Sequence, residues 1–323
     1  MIFILLYNPL EGSSTPQFTM SEAGFQYLAL KNPHVRDADI SFKDIGHEYK
    51  VLGKVTQKSE GWLSSTGFVH SDEFWEHFDP DSTITMIMKS KKYREGNSPY
   101  SGMTRQEIKD DWEQRGSEAC RLGSKFHLGV ESHYNNETFP DDPEMAELKV
   151  KFMKFVEDHP HLTAYRTEFM VYDIELKLTG SIDILFQEPD GSISIYDWKL
   201  SKLIETGKPK FPTKSHHPVL KKYYSNNYSQ YSMQLNVYKY ILEKNYGFKI
   251  KDLYLVRFYH DVETYEKIKC LDMSKEIDTL FRIRLSKLAG EGVSEDEEDE
   301  PQFVRRVSLE PPKKGPDFSE CML

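Results

Sequence analysis

The sequence predicts a mixed α/β (α+β) protein, with a central mixed β-sheet of about four or five strands flanked by helices and a β-rich extension at the N-terminus. Three observations predict it. Residues 165–172, 176–186 and 192–200 are rich in β-branched and aromatic residues, and Glu188-Pro189-Asp190-Gly191 joins the last two as a hairpin. Apolar stripes at helical spacing flank them: Leu122, Phe126 and Val130, then Met145, Leu148, Phe152 and Phe155, and later residues 231–246 and 277–288. Before residue 104, short apolar runs alternate with turn signals, as in residues 41–51, which suggests strands more than helix.

Thr104 followed by Glu107 forms a capping box, so a helix starts there, and a second helical run spans about Ser117 to Tyr134. This divides the chain into an accessory region (1–103), a core (104–290) and an acidic tail (291–323). The tail has six consecutive acids, Glu295 to Glu300, then Pro311-Pro312, and is expected to be disordered and dispensable for catalysis, a candidate docking segment for replication or repair proteins. Residues 253–259 and 265–271 read as further strands, and 201–228 as polar loop. There is no internal repeat.

The 323 residues suffice for a full core, and 13% aromatic residues exclude global disorder. A net charge of −10 weighs against a polyanionic partner, but only weakly: without the six-acid run, 42 bases face 46 acids. Cys120, Cys270 and Cys321 are too few and too scattered for a disulfide framework or an iron–sulfur cluster, and fit a reducing intracellular compartment. Met1 to Tyr7 is apolar but too short for a signal sequence and reads as a first strand. No later stretch is long enough to span a membrane, so a soluble protein is expected.

The hairpin carries the chemistry. If Pro189, Asp190 and Gly191 form a three-residue loop with Gly191 left-handed, Glu188 pairs with Ser192, and continuing that register sets Asp183 opposite Asp197 with Lys199 on the same face. Paired carboxylates suit a hard divalent cation, and an adjacent lysine can orient or help deprotonate an attacking water and stabilise developing charge. An acid and a base across two strands are more often a solvated face, but both acids here lie within apolar strands, where a carboxylate needs a compensating partner.

The sequences Gly180-Ser181-Ile182-Asp183-Ile184-Leu185 and Ile195-Tyr196-Asp197-Trp198-Lys199 resemble the core of the PD-(D/E)xK nuclease superfamily, and its RecB-like branch in particular. Gly123-x-x-x-His127 upstream and Gln234-x-x-x-Tyr238 downstream match that branch in the same order, and the similarity covers about residues 104 to 290. Within the branch the chain is similar to mitochondrial genome-maintenance exonucleases and to RecB-like nucleases of large DNA viruses. The viral likeness rests on His47-Glu48-Tyr49 and on residues 65–70. The resemblance implies a restriction-endonuclease-like core and a nuclease using one or two Mg²⁺ or Mn²⁺ ions on DNA, with RNA not excluded. Asp183, Asp197, the backbone carbonyl of Trp198 and His127 would hold metal, Lys199 would be the catalytic lysine, and Gln234 and Tyr238 would lie near substrate. Glu131 shares a helical face with His127 and would brace the ligands or join a second ion; Glu168 is either a metal-site residue or an ion-pair partner.

Three functions stay open: an active deoxyribonuclease, exonuclease or structure-specific endonuclease; an inactive nucleic-acid-binding scaffold on the same fold; and a hydrolase of small phosphoesters. Lys202, Lys208, Lys210 and Lys214, with Tyr223, Tyr224 and Tyr228 after them, offer the extended basic surface that only a polymeric substrate needs, unless this loop is simply solvated. The compartment stays open among nucleus, cytoplasm and a viral replication site.

Overall fold

The computed structural model describes residues 27–43, 46, 48–75, 78–209 and 212–290, so the expected strand at Met1 to Tyr7 and the acidic tail lie outside the described residues. The chain opens with α1 (Tyr27–Lys31) and the strands β1 (Ile40–Lys43), β2 (Glu48–Val51) and β3 (Lys54–Val55). Next come β4 (Leu63–Ser64), α2 (Ser65–Val69), α3 (Pro80–Lys89), α4 (Lys91–Arg94), α5 (Arg105–Tyr134) and α6 (Ala146–Asp158). The strands β5 (Thr163–Asp173), β6 (Leu178–Gln187) and β7 (Ile193–Leu200) follow, then α7 (Asn227–Asn245), β8 (Ile250–Phe258), β9 (Glu266–Lys269) and α8 (Ser274–Ala289). None of the described helices is long and apolar enough to cross a membrane.

Among the described residues the central sheet has six strands rather than four or five, and it is mixed: β5, β6 and β7 are antiparallel, β8 runs parallel to β7, and β9 closes the edge. The sixth strand is β4, which pairs in parallel with β6 at Leu178 and Thr179. Only two residues long, β4 has no period for a sequence pattern to reveal. Helices cover both faces. Phe126, Val130, Phe152 and Phe155 of α5 and α6 pack on Ile184, Phe186, Tyr196 and Trp198, while Leu235, Ile241, Ile277 and Phe281 of α7 and α8 pack on Ile182, Leu185, Ile193 and Ile195.

The hairpin register is the expected one, with Ile184 opposite Tyr196 and Gln187 opposite Ile193. Glu188 N–H donates to the Ser192 carbonyl at 2.8 Å, and Gly191 sits at φ 81°, a left-handed conformation that costs glycine little.

Two expectations need correction. The two helical runs after Thr104 are one 30-residue helix, α5: the capping box forms, and Gly116 between the runs weakens the helix without removing a backbone donor as proline would. Among the described residues before 104, strands lie between Ile40 and Val55 and at Leu63–Ser64, and the helices α2, α3 and α4 follow them. Asp79 caps α3, Pro80 occupies its first turn, and Ile84 and Ile87 pack with Ile108 and Trp112 of α5 in a small satellite core. A helix of ten residues spans too few turns to override the strand-like reading of its neighbours.

Candidate metal centre and active site

Ile182 belongs to one core layer and Ile184 to the other, so the alternation of β6 breaks at Asp183. The neighbouring strand breaks at the same level. Thr167 pairs with Ile184 and Phe169 with Ile182, which leaves Glu168 facing Asp183, and Glu168 has φ 42°, in the left-handed region that a non-glycine residue rarely occupies. Both carboxylates thereby turn toward α5. His127 meets them there, with Nδ1 3.6 Å from Asp183 Oδ2 and 3.8 Å from Glu168 Oε1. One ligand atom from each of His127, Glu168 and Asp183 lies within 4.8 Å of the others.

Each of the three is also held from behind. Asp183 Oδ2 accepts the Trp198 N–H at 2.8 Å, Ser181 Oγ donates to Glu168 Oε2 at 2.8 Å, and His127 Nε2 lies 3.2 Å from the Trp198 carbonyl. Burial opposes charge on the imidazole, but the Asp183 and Glu168 carboxylates outweigh it and lift His127 to about 9. Burial pushes the Asp183 carboxyl up, and His127, Lys199 and the Trp198 N–H only partly offset it. The protonated imidazole thus lies between the two acids.

Asp197, 4% exposed, stands beside this trio rather than in it. Its Oδ2 is 2.6 Å from Lys199 Nζ, an ion contact whose direction leaves that oxygen without a well-aligned hydrogen-bond donor. Burial and the nearby Asp183 charge raise Asp197 to about 6. Burial alone would lower Lys199, but Asp197 and Asp183 keep it firmly protonated, and its ammonium lies 4.7 Å from the centre of the Tyr231 ring.

The far wall is α7. Gln234 Nε2 donates to Tyr238 Oη at 3.2 Å and to Thr66 Oγ1 of α2 at 3.1 Å. Tyr238 is buried against Gly180, where an added Cβ would lie 2.6 Å from Tyr238 Cε1 and 2.8 Å from Ser65 Oγ. β5 pairs along the whole of β6, so β4 and β7 share its other edge, and Ser65 and Thr66 enter the gap between them. The sequence reading did not assign Ser65, Thr66 or His70 to the site, nor Tyr49 and Tyr231. Ser64, which caps α2 by accepting the Gly67 N–H, was the available signal. Burial, with Lys199 adding to it, lowers His70.

Glu131, one turn beyond His127, is buried, and desolvation with the Glu168 charge raises it to about 8. Lys202, Lys208 and Lys214 are exposed on the loop from β7 to α7, and Lys210 lies outside the described residues. That loop is laced to the body: Asn226 Nδ2 donates to the Glu205 carbonyl, Asn227 Nδ2 to the Leu203 carbonyl, and Ser215 Oγ to the Phe74 carbonyl. Arg257 of β8, the register partner of Lys199, donates to the Ser201 and Lys202 carbonyls and holds the loop where it leaves the strand.

The donor set fits a divalent cation. One imidazole and two carboxylates converge, a third carboxylate adjoins them, and burial raises Asp183 and Asp197, so the cluster is short of positive charge.

The family profile of the PD-(D/E)XK nuclease superfamily matches residues 103–310. No curated protein matches the sequence. Among solved structures, SSO0001 is 13% identical, with 70% of this chain and 75% of that chain covered and a TM-score of 0.30. A "putative exonuclease" from Eubacterium rectale is 11% identical, with 78% and 92% covered and a TM-score of 0.33.

Proposed function

Because the chain belongs to the PD-(D/E)XK nuclease superfamily, we propose that it is a metal-dependent deoxyribonuclease that hydrolyses DNA phosphodiester bonds from an end, as an exonuclease of repair, recombination or replication. One observation carries this reading: His127, Glu168 and Asp183 converge beside the buried Asp197–Lys199 pair. An inactive scaffold has no use for so many buried charges, each of which costs stability unless compensated.

His127, Glu168 and Asp183 would hold Mg²⁺ or Mn²⁺, with Asp197 adjoining and Glu131 available to a second ion. When bound, such an ion polarises a phosphate oxygen and makes a bound water more acidic. The residues do the rest. The Trp198 carbonyl holds the Nε2 side of His127, which leaves Nδ1 toward the carboxylates and fixes the ring, and its second lone pair is available for the ligand role the resemblance implies for it. Lys199, kept protonated, donates to the phosphate oxygen on which charge grows, and Asp197 fixes its position. Gln234 and Tyr238 close the wall behind the reacting phosphate. Lys202, Lys208, Lys210 and Lys214 follow the DNA backbone, since their loop joins the Lys199 strand to the Gln234 helix.

The test is a degradation time course on end-labelled linear DNA and on covalently closed circular DNA of the same sequence, in Mg²⁺ and in Mn²⁺. An exonuclease removes linear DNA progressively and spares the circle. Equal attack on both would make it an endonuclease, and attack on neither would remove the reading.

A further inference from the structure

Ile193 and Ile195 of β7 lie in the core layer under α7 and α8, and Tyr196 and Trp198 in the layer under α5 and α6. A strand alternates with a period of two, so Asp197 and Lys199 point to the α7 side. The Trp198 N–H between them donates to Asp183 at 2.8 Å, which sets the pair at the metal centre. On the α7 side, Lys199 Nζ lies 4.7 Å from the centroid of the Tyr231 ring. Both groups are withdrawn from water: Tyr231 is 4% exposed and the Lys199 side chain 19%. Tyr231, Gln234 and Tyr238, spaced by three and four, share one face of α7, and Tyr238 seats the far end of that face against Gly180.

An ammonium taken out of water needs partners for its three N–H groups. Among the described residues, Asp197 Oδ2 meets it on one side at 2.6 Å and the Tyr231 ring on another. The two partners treat the charge differently. A carboxylate compensates it, so a second acid in place of the ring would compete with a phosphate for the same donor. An aromatic face attracts a cation through its quadrupole and leaves the unit charge in place, and the attraction is stronger where water is excluded. It has no lone pair to align with, so the ammonium can turn its remaining N–H groups outward while its nitrogen stays put.

We propose that Tyr231 is a positioning residue of the reaction: its ring holds the Lys199 nitrogen at the metal centre without neutralising it, so that a charged donor meets the scissile phosphate; this rests on the nuclease reading above. Asp197 fixes the lysine from its own strand, and Tyr231 fixes it from the facing helix. Tyr231 acts through the lysine and not on the substrate.

The experiment changes the ring in the full chain while keeping its shape. Tyr231→Phe and the Tyr231→monofluoro-, difluoro- and trifluorophenylalanine variants keep the ring and drain its face of negative potential step by step, and Tyr231→Leu removes it. Cleavage of end-labelled linear DNA in Mn²⁺ is read as kcat and KM. Tyr231→Phe should stay within about twofold of wild type, and kcat should fall with each fluorine, to about tenfold below Tyr231→Phe for the trifluoro ring, with KM kept. A residue that merely fills the core would leave kcat flat across the series, because every ring in it has the same shape. The second readout needs no metal. In EDTA the Tyr231 ring current should shift the Lys199 Hε resonances of lysine-labelled protein upfield. Lys199→Met identifies these resonances by their loss, and Tyr231→Leu should return them to the ordinary lysine position. A flat fluorine series, or Hε resonances that the ring does not shift, overturns the proposal, while wild-type cleavage leaves the nuclease reading standing. A wild type that cleaves no DNA removes both.

Discussion

Glu168 and Asp183 face each other across β5 and β6 at the level where β6 breaks its alternation, and Glu168 holds a left-handed backbone there. Two regular strands would send these side chains into apolar layers. The paired irregularity turns them to His127 instead.

The first prediction follows from that strain. Glu168→Gly should be more stable than Glu168→Ala by about 1 kcal/mol in urea unfolding, because alanine keeps the cost of positive φ and glycine releases it. Both should lower Mn²⁺ affinity by roughly 10- to 100-fold in calorimetric titration. Equal stability of the two variants would mean the conformation is not strained.

Gly180 and Gly123 should separate by substitution. Gly180→Ala places a methyl 2.6 Å from the Tyr238 ring and 2.8 Å from Ser65 Oγ, whereas nothing lies within 4 Å of a Cβ at Gly123. The first should cost about 1–3 kcal/mol and slow cleavage by displacing Tyr238 and Gln234. The second should be neutral or gain up to about 1 kcal/mol of helix propensity. Denaturant midpoints and initial rates measure both.

Breaking the Asp197–Lys199 pair should do more harm than replacing it. Lys199→Met leaves a carboxylate buried alone and should cost about 3–5 kcal/mol, most of which Asp197→Asn restores in the double variant without restoring cleavage. Unfolding curves and single-turnover rates of the three proteins separate the structural loss from the catalytic one.

Metal-free protein should lose stability as pH rises. Glu131 is raised from 4.5 to about 8, and His127 from 6.5 to about 9. Both groups therefore bind more protons folded than unfolded within those windows, and their contribution declines from about pH 5 to pH 9. Glu131→Gln should flatten the lower part of that decline, from about pH 5 to 8, in melting curves recorded in EDTA. A wild-type Tm that climbs across the same range would contradict the assignment.

Much of this was legible in the sequence, and the reason is local. The hairpin loop set the register of β6 on β7, because side chains alternate with a period of two and Gly191 determines the loop geometry. Thr104 and Glu107 marked the start of α5 through a reciprocal cap. What stayed hidden depends on contacts distant in sequence. Tyr49 reaches the site only because β1 and β2 pack on β5, and Ser65 and Thr66 only because β4 fills the edge that β7 leaves free. Glu168 could be placed near the hairpin but not aimed, since its direction depends on a backbone irregularity with no glycine to signal it.

The central claim is that one metal centre, with Asp183 as a ligand, cleaves the substrate. Its most direct test is the initial rate of cleavage of end-labelled linear DNA against Mn²⁺ concentration, for wild type and Asp183→Asn. The account predicts a rate that rises with Mn²⁺ to saturation and vanishes in EDTA, and a folded variant slower by at least about 100-fold at saturating metal. Wild-type cleavage that persists in EDTA, or an Asp183→Asn protein that cleaves at the wild-type rate, would contradict it.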